Sequence, residues 1–250
     1  MKLTIVIPVF NESNFIGEIL LRVQNVSLKN IVKEIVVVDD FSTDGTREFL
    51  EKLVQLKNDP NINTSKISGA DRKLDLTKIK IVFHEKNKGK GAALQSGFKQ
   101  STGDLIIIQD ADFELDPNDY SKLLEPIEKK IADVVYGSRF LCGGKKLFYF
   151  SHYVANKLLT TLSNMFTGLN LSDMECCYKM FRREVIDNIE IRENRFGFEP
   201  EFTVKVAKKG YRVSEVPVSY YPRTYQKGRK IRWKDGIRAI YCIIRYSLIP

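Results

Sequence analysis

The sequence predicts an α/β fold with a mostly parallel central sheet and helices on both faces. Short runs of β-branched and other apolar residues alternate along the first half of the chain with longer segments of helical periodicity. The apolar runs are nearly continuous, which is typical of parallel strands that are buried on both faces. A length of 250 residues is enough for one large domain of this kind.

Strands and helices are expected to alternate up to residue 137. Asp44 is the expected N-cap of the second helix, because its side chain can accept a hydrogen bond from the first helical turn. Pro117 suits the first position of the fourth helix, where no amide hydrogen is needed. The predicted strands are residues 2–8, 33–39, 79–84, 104–109 and 133–137, and the predicted helices are residues 12–24, 44–57, 89–100 and 117–130.

One domain is expected over residues 1–225, and the polar stretch 58–78 within it is predicted to be a surface insertion. Residues 226–250 are predicted to form a basic amphipathic segment at the C-terminus. The second half of the chain is predicted to contain helices over residues 148–166 and 200–209, a strand over residues 211–218 and a closing segment over residues 229–249.

The charge and cysteine content narrow the function classes. Lys and Arg number 40 against 31 Asp and Glu, a net charge of +9 that favours an anionic partner such as a nucleotide, a phosphorylated lipid or an acidic membrane face. Four cysteines without a CxxC pair, and only two histidines, predict buried free thiols rather than disulfides or a zinc site. We see no signal peptide and no apolar run of the ~18 residues that a membrane span needs, so we expect a cytoplasmic protein.

Carboxylates follow three of the predicted strands. Glu12 comes after the first strand, Asp39 and Asp40 end the second, and Asp110 and Asp112 follow the fourth. The carboxyl ends of parallel strands form one edge of a sheet, so these side chains would repel one another unless a cation neutralised them. Mg²⁺ or Mn²⁺ suits such oxygen ligands and commonly takes one or two carboxylates together with waters and substrate phosphates.

Residues 87–93 join the third strand to its helix. Their small residues allow close backbone approach, and a helix N-terminus with Lys88 and Lys90 attracts phosphate. The same segment also fits a tight turn with exposed lysines. It is neither a Walker A loop nor a dinucleotide fingerprint.

Taken in order, five segments resemble the glycosyltransferases of family 2 with the GT-A fold: IVIPVFNE, VVVDDFSTDGT, NKGKGAALQSG, GDLIIIQDADFELDP and DVVYGSRF. The polyprenyl- and dolichyl-phosphate mannosyl- and glucosyltransferases are the most similar subgroup. The resemblance covers residues 2–225 and implies an inverting transfer of a hexose from a nucleotide-sugar such as UDP-glucose or GDP-mannose. It also implies a divalent cation, Mg²⁺ or Mn²⁺, on the diphosphate.

The resemblance implies roles for individual residues. It implies that the acceptor is a polyprenyl phosphate, which would need no strong base because a phosphate monoester is already anionic near neutral pH. The expected nucleotide-sugar contacts are Pro8, Phe10, Glu12, Asp39, Asp40, Lys90, Gly91, Asp110, Ala111 and Asp112. The expected metal ligands are Asp110, Asp112 and Glu114, and the expected catalytic residues are Asp112, Arg139 and Asp173. The expected contacts to the acceptor phosphate are Ser138, Arg139, Arg223, Arg229 and Lys230.

Several alternatives stay open at this point. Asp173 and Glu175 fit a general base for a sugar hydroxyl, or a helix cap or a structural partner of a nearby arginine. Residues 148–166 are apolar almost all round and fit either core or a lipid- or dimer-facing surface. The basic C-terminal helix fits either contact with an anionic membrane or docking on the domain.

We therefore expect a metal-dependent family 2 glycosyltransferase at the inner face of the membrane, held there peripherally. The first alternative is the same enzyme class acting on a saccharide or another hydroxyl acceptor. A nucleic-acid-binding module would explain the positive charge, but the acidic strand ends and the lack of a recognition motif argue against it. A non-catalytic nucleotide-sugar binder is the third alternative.

Overall fold

The structure is a computed structural model that describes residues 1–58, 74–141, 150–222 and 233–248. The chain divides into two compact units, Met1–Phe113 (unit 1) and Glu114–Pro250 (unit 2). This boundary differs from the predicted division at residue 225, and that division stays a prediction. The basic run 226–232 and most of the predicted insertion 58–78 lie outside the described residues.

Unit 1 is built on four parallel strands in the order β3-β2-β1-β4. Its strands confirm the parallel pairing that the continuous apolar runs predicted. Val9 at the end of β1 pairs with Asp39 at the end of β2, so these strand ends lie at the same edge. The elements are β1 (Lys2–Val9), α1 (Ile16–Asn25), β2 (Val32–Asp39), α2 (Thr46–Asn58), β3 (Ile79–Phe83), α3 (Lys90–Gln100) and β4 (Leu105–Ile108).

Helix α3 lies unusually close to β1. A Cβ atom added at Gly97 would lie 2.3 Å from Cγ1 of Val6, so only glycine allows this approach. On the next strand, Val36 and Val38 form a buried apolar cluster with Ala93 of the helix. This packing fixes where α3 begins, and with it the loop that precedes the helix.

The described end of the predicted insertion is anchored in unit 1. Leu74 and Leu76 are buried, and the amide of Asp75 donates to Oε1 of Gln24 at 2.7 Å. The short 3₁₀ helix Leu76–Lys78 then leads directly into β3.

Unit 2 is centred on β5, which pairs antiparallel with β6 and parallel with β7. Strand β6 and the short helix after it were not predicted, because four residues are too few to show a period. Pro117 begins a 3₁₀ helix, Pro117–Asp119, ahead of α4. The elements are α4 (Tyr120–Glu128), β5 (Val134–Ser138), α5 (Phe150–Thr167), β6 (Lys179–Arg182), α6 (Arg183–Asp187), α7 (Phe198–Lys208), β7 (Val213–Pro217) and α8 (Trp233–Leu248).

Helix α8 docks on unit 2 through one face. Cys242 and Tyr246 pack against Val204 of α7. Arg238 donates to both carboxylate oxygens of Glu193, from Nε at 3.0 Å and from Nη2 at 2.7 Å. This face of α8 therefore docks on the rest of unit 2, which is one of the two alternatives that the sequence left open for the C-terminal helix. Another set of large apolar side chains on α8 remains exposed: Ile237, Ile240, Tyr241, Ile244 and Leu248.

Helix α5 also carries exposed apolar side chains. Leu158 is 63% exposed and Met165 is 77% exposed, so of the two alternatives for this helix the core one is wrong for these residues. Thr160 and Ser163 are the buried positions of the helix instead. Four further large apolar side chains of the helix are exposed: Phe150, Tyr153, Val154 and Phe166.

The cysteines within the described ranges match the prediction. Cys176, Cys177 and Cys242 are free and buried. Burial raises the pKa of the Cys176 thiol to about 12, which keeps it protonated and unreactive near neutral pH.

Candidate active site

The loops after β1 and β2 are held together at the shared edge of unit 1. The amide of Asp40 donates to the carbonyl of Val9 at 2.9 Å, continuing the strand pairing by one residue. Beyond it, the amide of Asn11 donates to Oγ of Ser42 at 2.9 Å, and the amide of Thr43 donates to Oδ1 of Asn11 at 2.8 Å. These bonds make the two loops a single ordered surface.

Asp39 is completely buried within this surface. Its carboxylate accepts from the amide of Ser42 at 3.2 Å and from Nη1 of Arg47 at 3.3 Å. The same Nη1 donates to the carbonyl of His84 at 3.0 Å. Asp39 therefore ties the loop after β2 to helix α2 and to the end of β3.

Asp40 organises the loop before α3. Its carboxylate accepts from the amide of Lys88 at 2.8 Å and from the amide of Gly89 at 2.7 Å, and it lies 2.7 Å from Nδ1 of His84. The other ring nitrogen of His84 lies 2.9 Å from Oγ of Ser96 on α3. The sequence showed His84 as an isolated histidine, because its partners are 12 and 44 residues away.

The remaining residues expected in the nucleoside pocket occupy the same edge. Pro8 pairs with Val38 near the ends of β1 and β2. Glu12 is buried, and its amide donates to Oγ1 of Thr46 at 2.9 Å. Gly91 is buried in the first turn of α3. The structure thus brings the residues after β1 and β2 together with the start of α3.

The acidic pair follows β4 as predicted. Asp110 and Asp112 flank the buried Ala111, and Nζ of Lys90 lies 3.0 Å from Oδ1 of Asp110. The part of the chain that the structure describes contains no group of three or more potential protein ligands for a metal ion. The metal-ligand roles of Asp110, Asp112 and Glu114 stay predictions.

Two carboxylates nevertheless fit a hard divalent cation, because Mg²⁺ usually fills its other positions with waters and substrate phosphates. Asp110 and Asp112 are both partly exposed, so their oxygens can be reached from solvent. The donor set therefore suits Mg²⁺ or Mn²⁺ bound together with a phosphate-bearing ligand.

In unit 2, Arg139 and Asp173 form a buried two-point ion pair. Nε of Arg139 donates to Oδ2 at 2.7 Å and Nη2 donates to Oδ1 at 2.8 Å, while the amide of Arg139 donates to Oδ2 at 3.0 Å. Nδ2 of Asn156 on α5 donates to Oδ1 at 3.1 Å. Burial alone would raise the pKa of Asp173, but the charge and hydrogen bonds of Arg139 outweigh it and lower that pKa.

Two serines and a lysine lie beside this pair. Oγ of Ser138 is 2.6 Å from Oγ of Ser172, and Nζ of Lys157 donates to the carbonyl of Ser172 at 3.0 Å. The ammonium of Lys157 also lies 4.4 Å from the ring centroid of Phe140. Sequence reasoning missed Lys157 and Ser172, since nothing local linked helix α5 to the end of β5. Together with Arg139, these groups suit an anion.

A second group of charges adjoins the ion pair; its carboxylate, Glu175, was a candidate from the sequence, whereas its lysine, Lys179, was missed. Lys179 is completely buried, and its Nζ donates to the carbonyl of Met174 at 3.1 Å. Oε1 of Glu175 is buried and has no hydrogen-bond partner among the residues that the structure describes. Burial, followed by the negative charge of Glu199, raises the pKa of Glu175 to about 8. The only sequence signal for a buried charge at Lys179 was the presence of a lysine in the short apolar run of β6.

Three predicted acceptor contacts, Arg223, Arg229 and Lys230, lie outside the described residues. Their neighbour Tyr220 is described, and the guanidinium carbon of Arg139 lies 5.4 Å from its ring centroid.

The glycosyl transferase family 2 model matches residues 4–190, which include the ends of β1, β2, β3, β4 and β5. The chain belongs to glycosyltransferase family 2. It is therefore a glycosyltransferase, as the motifs predicted.

Curated relatives cover most or all of this chain. A dolichol-phosphate mannosyltransferase of Pyrococcus furiosus is 28% identical over 99% of this chain, which spans 65% of that protein's length. A dodecaprenyl-phosphate galacturonate synthase of Rhizobium johnstonii is 26% identical over 100% of this chain and 69% of that protein. An undecaprenyl-phosphate mannosyltransferase of Micrococcus luteus is 26% identical over 89% of this chain and 85% of that protein. All three names specify a sugar and a polyprenyl phosphate.

Solved structures show the same fold. Glucosyl-3-phosphoglycerate synthase of Mycobacterium tuberculosis, in complex with Mn²⁺, UDP and glucosyl-3-phosphoglycerate, has a TM-score of 0.68 at 15% identity, over 100% of this chain and 81% of that one. The complex of that enzyme with Mg²⁺ and UDP has a TM-score of 0.67 at 17% identity, over 100% and 80% of the two chains. The GT-A type of α/β fold predicted for this family 2 member is confirmed.

Proposed function

We propose that this family 2 glycosyltransferase moves a hexose from a nucleotide-sugar of the UDP-glucose or GDP-mannose type to a polyprenyl phosphate, with Mg²⁺ or Mn²⁺. The observation that carries the proposal is the acidic pair Asp110 and Asp112 after β4, with Lys90 of α3 beside it. The three relatives named for polyprenyl-phosphate sugars support the choice of acceptor.

On the donor side, Asp110 and Asp112 would hold the divalent cation. When bound, the cation supplies Lewis-acid neutralisation of the charge that builds on the leaving diphosphate, an effect worth several kcal/mol. Lys90 is in the first turn of α3, where its ammonium and the helix N-terminus both attract phosphate. Asp40 holds this helix start in place through the amides of Lys88 and Gly89.

On the acceptor side, Arg139, Lys157 and Ser138 would receive the acceptor phosphate. Arg139 has two nitrogens committed to Asp173, which fixes the plane of its guanidinium. Arg139 is thereby oriented before the acceptor arrives, which reduces the entropy lost on binding.

The state of Asp173 favours a phosphate acceptor over a hydroxyl acceptor. A hydroxyl nucleophile needs a base that can take up a proton, whereas a phosphate monoester is already anionic near neutral pH. The carboxylate of Asp173 accepts three hydrogen bonds from Arg139 and one from Asn156, and the pKa of Asp173 is lowered. Such a carboxylate is a poor base, so we assign it to positioning Arg139.

Contact with a membrane surface is part of the proposal. The exposed apolar residues of α5 and α8 belong to helices that pack against each other within unit 2, as in an interfacial platform. Helix α8 carries the basic residues Lys234, Arg238 and Arg245, and each Lys or Arg near an anionic leaflet contributes about 1 kcal/mol. Among the described residues, no helix combines the length and hydropathy of a bilayer span. We propose peripheral attachment at the cytoplasmic face.

The test is a transfer assay with two donors and two acceptors. UDP-glucose and GDP-mannose are each offered with undecaprenyl phosphate or with free hexose, in Mn²⁺, Mg²⁺ or EDTA. We expect lipid-phosphate product with one donor, in the presence of metal only. Transfer to free hexose at an equal rate would support the hydroxyl alternative, and full activity in EDTA would exclude the metal.

A pair of variants tests whether transfer depends on the acidic pair. D112N removes a proposed metal ligand and should abolish transfer without unfolding the protein. D187N changes an exposed carboxylate on α6 and should leave transfer unchanged. Equal activity of the two variants would contradict the assignment of the acidic pair.

A further inference from the structure

Phe41, the second residue after β2, has a backbone conformation that aromatic residues rarely adopt. Its φ is 67°, in the left-handed region where a Cβ atom is strained. Asn11 and Asn30 share this region, but asparagine tolerates it because its side chain can bond to the local backbone. Phenylalanine has no such compensation. Phe41 is therefore held in strain by the loop around it.

Burial does not explain why a phenylalanine occupies this position. The side chain of Phe41 is 42% exposed, so much of the ring faces solvent rather than core. The guanidinium carbon of Arg47 lies 5.8 Å from the ring centroid, and that arginine is also committed to Asp39 at 3.3 Å. Strain of this kind persists mainly at functional sites, where the strained residue serves a ligand.

The position of Phe41 in the sheet suggests which ligand. Val9 pairs with Asp39, and the amide of Asp40 donates to the carbonyl of Val9, so Phe10 and Phe41 follow neighbouring strands at the same edge. Asn11, next to Phe10, is bonded to both residues that follow Phe41. Two aromatic side chains are thus carried by adjacent loops that are tied together.

We propose that Phe41 is a nucleobase-stacking residue of the donor site. The inference rests on the proposed function, because only a nucleotide donor brings a base to this edge of unit 1. An aromatic ring can stack on any base through its π-face, so Phe41 would contribute affinity without selecting the base. Residues outside this contact would then distinguish uridine from guanosine.

The decisive variant is F41G. It should raise stability because it relieves the backbone strain, and it should weaken nucleotide binding because it removes the stacking surface. Glycine adopts positive φ freely, so thermal unfolding should shift upward by about 3 °C. The Kd for UDP and for GDP, each measured calorimetrically with Mn²⁺, should rise about tenfold because the stacking surface is lost. A purely structural role would instead lower stability and leave the Kd unchanged.

Two further variants distinguish the effect of an aromatic ring at position 41 from that of apolar bulk. F41L keeps an apolar side chain and the strain but has no π-face, so it should weaken nucleotide binding much as F41G does. F41W keeps the ring, so it should bind as the wild type does, with indole fluorescence that changes on adding nucleotide. If F41G failed to fold, F41L against F41W would carry the same comparison.

K130G is the matched control for strain relief. Lys130 has a φ of 57° in unit 2, outside the proposed donor site, so glycine there should raise stability and leave the Kd for UDP and GDP unchanged. Equal nucleotide affinity of F41G, F41L and wild type would overturn the role of Phe41. Failure of the wild type to bind either nucleotide with Mn²⁺ would instead overturn the proposed function.

Discussion

Nζ of Lys90 lies 3.0 Å from Oδ1 of Asp110, so one carboxylate of the acidic pair has a cation of the chain itself as its partner. The side chain of Lys90 is only 16% exposed, which limits screening of this pair by solvent. A divalent ion alone would have to compete with Lys90, whereas a nucleoside diphosphate would draw Lys90 towards its own phosphates. Metal and nucleotide should therefore bind cooperatively, each favouring the other by the same factor.

The K90Q variant tests this competition. Removing the ammonium should make Mn²⁺ alone bind about fivefold more tightly, since a partly buried ion pair of about 1 kcal/mol no longer opposes it. The gain in Mn²⁺ affinity on adding UDP or GDP should shrink. Electron paramagnetic resonance of free Mn²⁺ measures both quantities. K86Q, which changes an exposed lysine between β3 and α3, should behave as wild type. Identical Mn²⁺ titrations for K90Q and wild type would contradict the model of competition.

The Arg139–Asp173 pair is predicted to matter for both stability and activity. D173N leaves a buried guanidinium without its anion, so urea unfolding should show a loss of about 3–5 kcal/mol. Transfer should fall by about 10²-fold, because Arg139 is no longer oriented. The exposed Arg183–Asp187 pair is the comparison, and D187N should cost less than about 0.5 kcal/mol. Unchanged stability and rate in D173N would show that the pair positions nothing.

Stability should depend on pH through Glu175. Its folded-state pKa is about 8 against an ordinary value of 4.5, so between these values the folded protein holds a proton that the unfolded chain has released. The contribution is present in full below about pH 4.5 and is lost as pH rises towards 8, at about 1.4 kcal/mol per pH unit.

The E175Q variant isolates that contribution, because glutamine imitates the protonated carboxyl group. We expect its midpoint in urea to fall less than that of wild type between pH 5 and 8. The charged neighbours Asp173, Lys179, Arg139 and Glu199 are retained in both proteins, so the two differ only in the group at position 175. If the urea midpoints of the two proteins changed in parallel with pH, Glu175 would be ionised in the folded state.

Membrane contact should be sensitive to charge on α5. M165E places a carboxylate on a side chain that is 77% exposed, and it should reduce cosedimentation with vesicles of mixed neutral and anionic lipids. I131E changes an exposed apolar residue away from α5 and α8, and it should sediment as wild type does. Circular dichroism would verify that both variants are folded. Equal vesicle binding by M165E and wild type would exclude α5 from the contact.

Much of unit 1 was predictable because its signals are local. The continuous apolar runs of β1, β2 and β4 predicted buried parallel strands, and the strand ends predicted where Asp39, Asp40, Asp110 and Asp112 would lie. The motifs extend over a few residues each, so a single sequence was enough to indicate the family.

Unit 2 was harder to predict because its decisive contacts join distant residues. The bond between Glu193 and Arg238 spans 45 positions, and that between Arg139 and Asp173 spans 34. Strand β6 has four residues and pairs antiparallel. It is too short for its sequence to show the periodicity of a strand. The exposed face of α5 was ambiguous, since an apolar helix has the same sequence whether or not another element covers it.

The sequence alone determined the order of strands and helices in unit 1, the acidic strand ends and the family, because each follows from residue chemistry within a short window. Only the tertiary structure decided which groups surround Asp40, Asp173 and Glu175. Packing of α3 on β1 made Asp40 the anchor of the loop before α3. Packing around β5 joined Asp173 to Arg139 and left Oε1 of Glu175 buried. Burial sets the energetic value of a charge, and burial is a property of the whole fold.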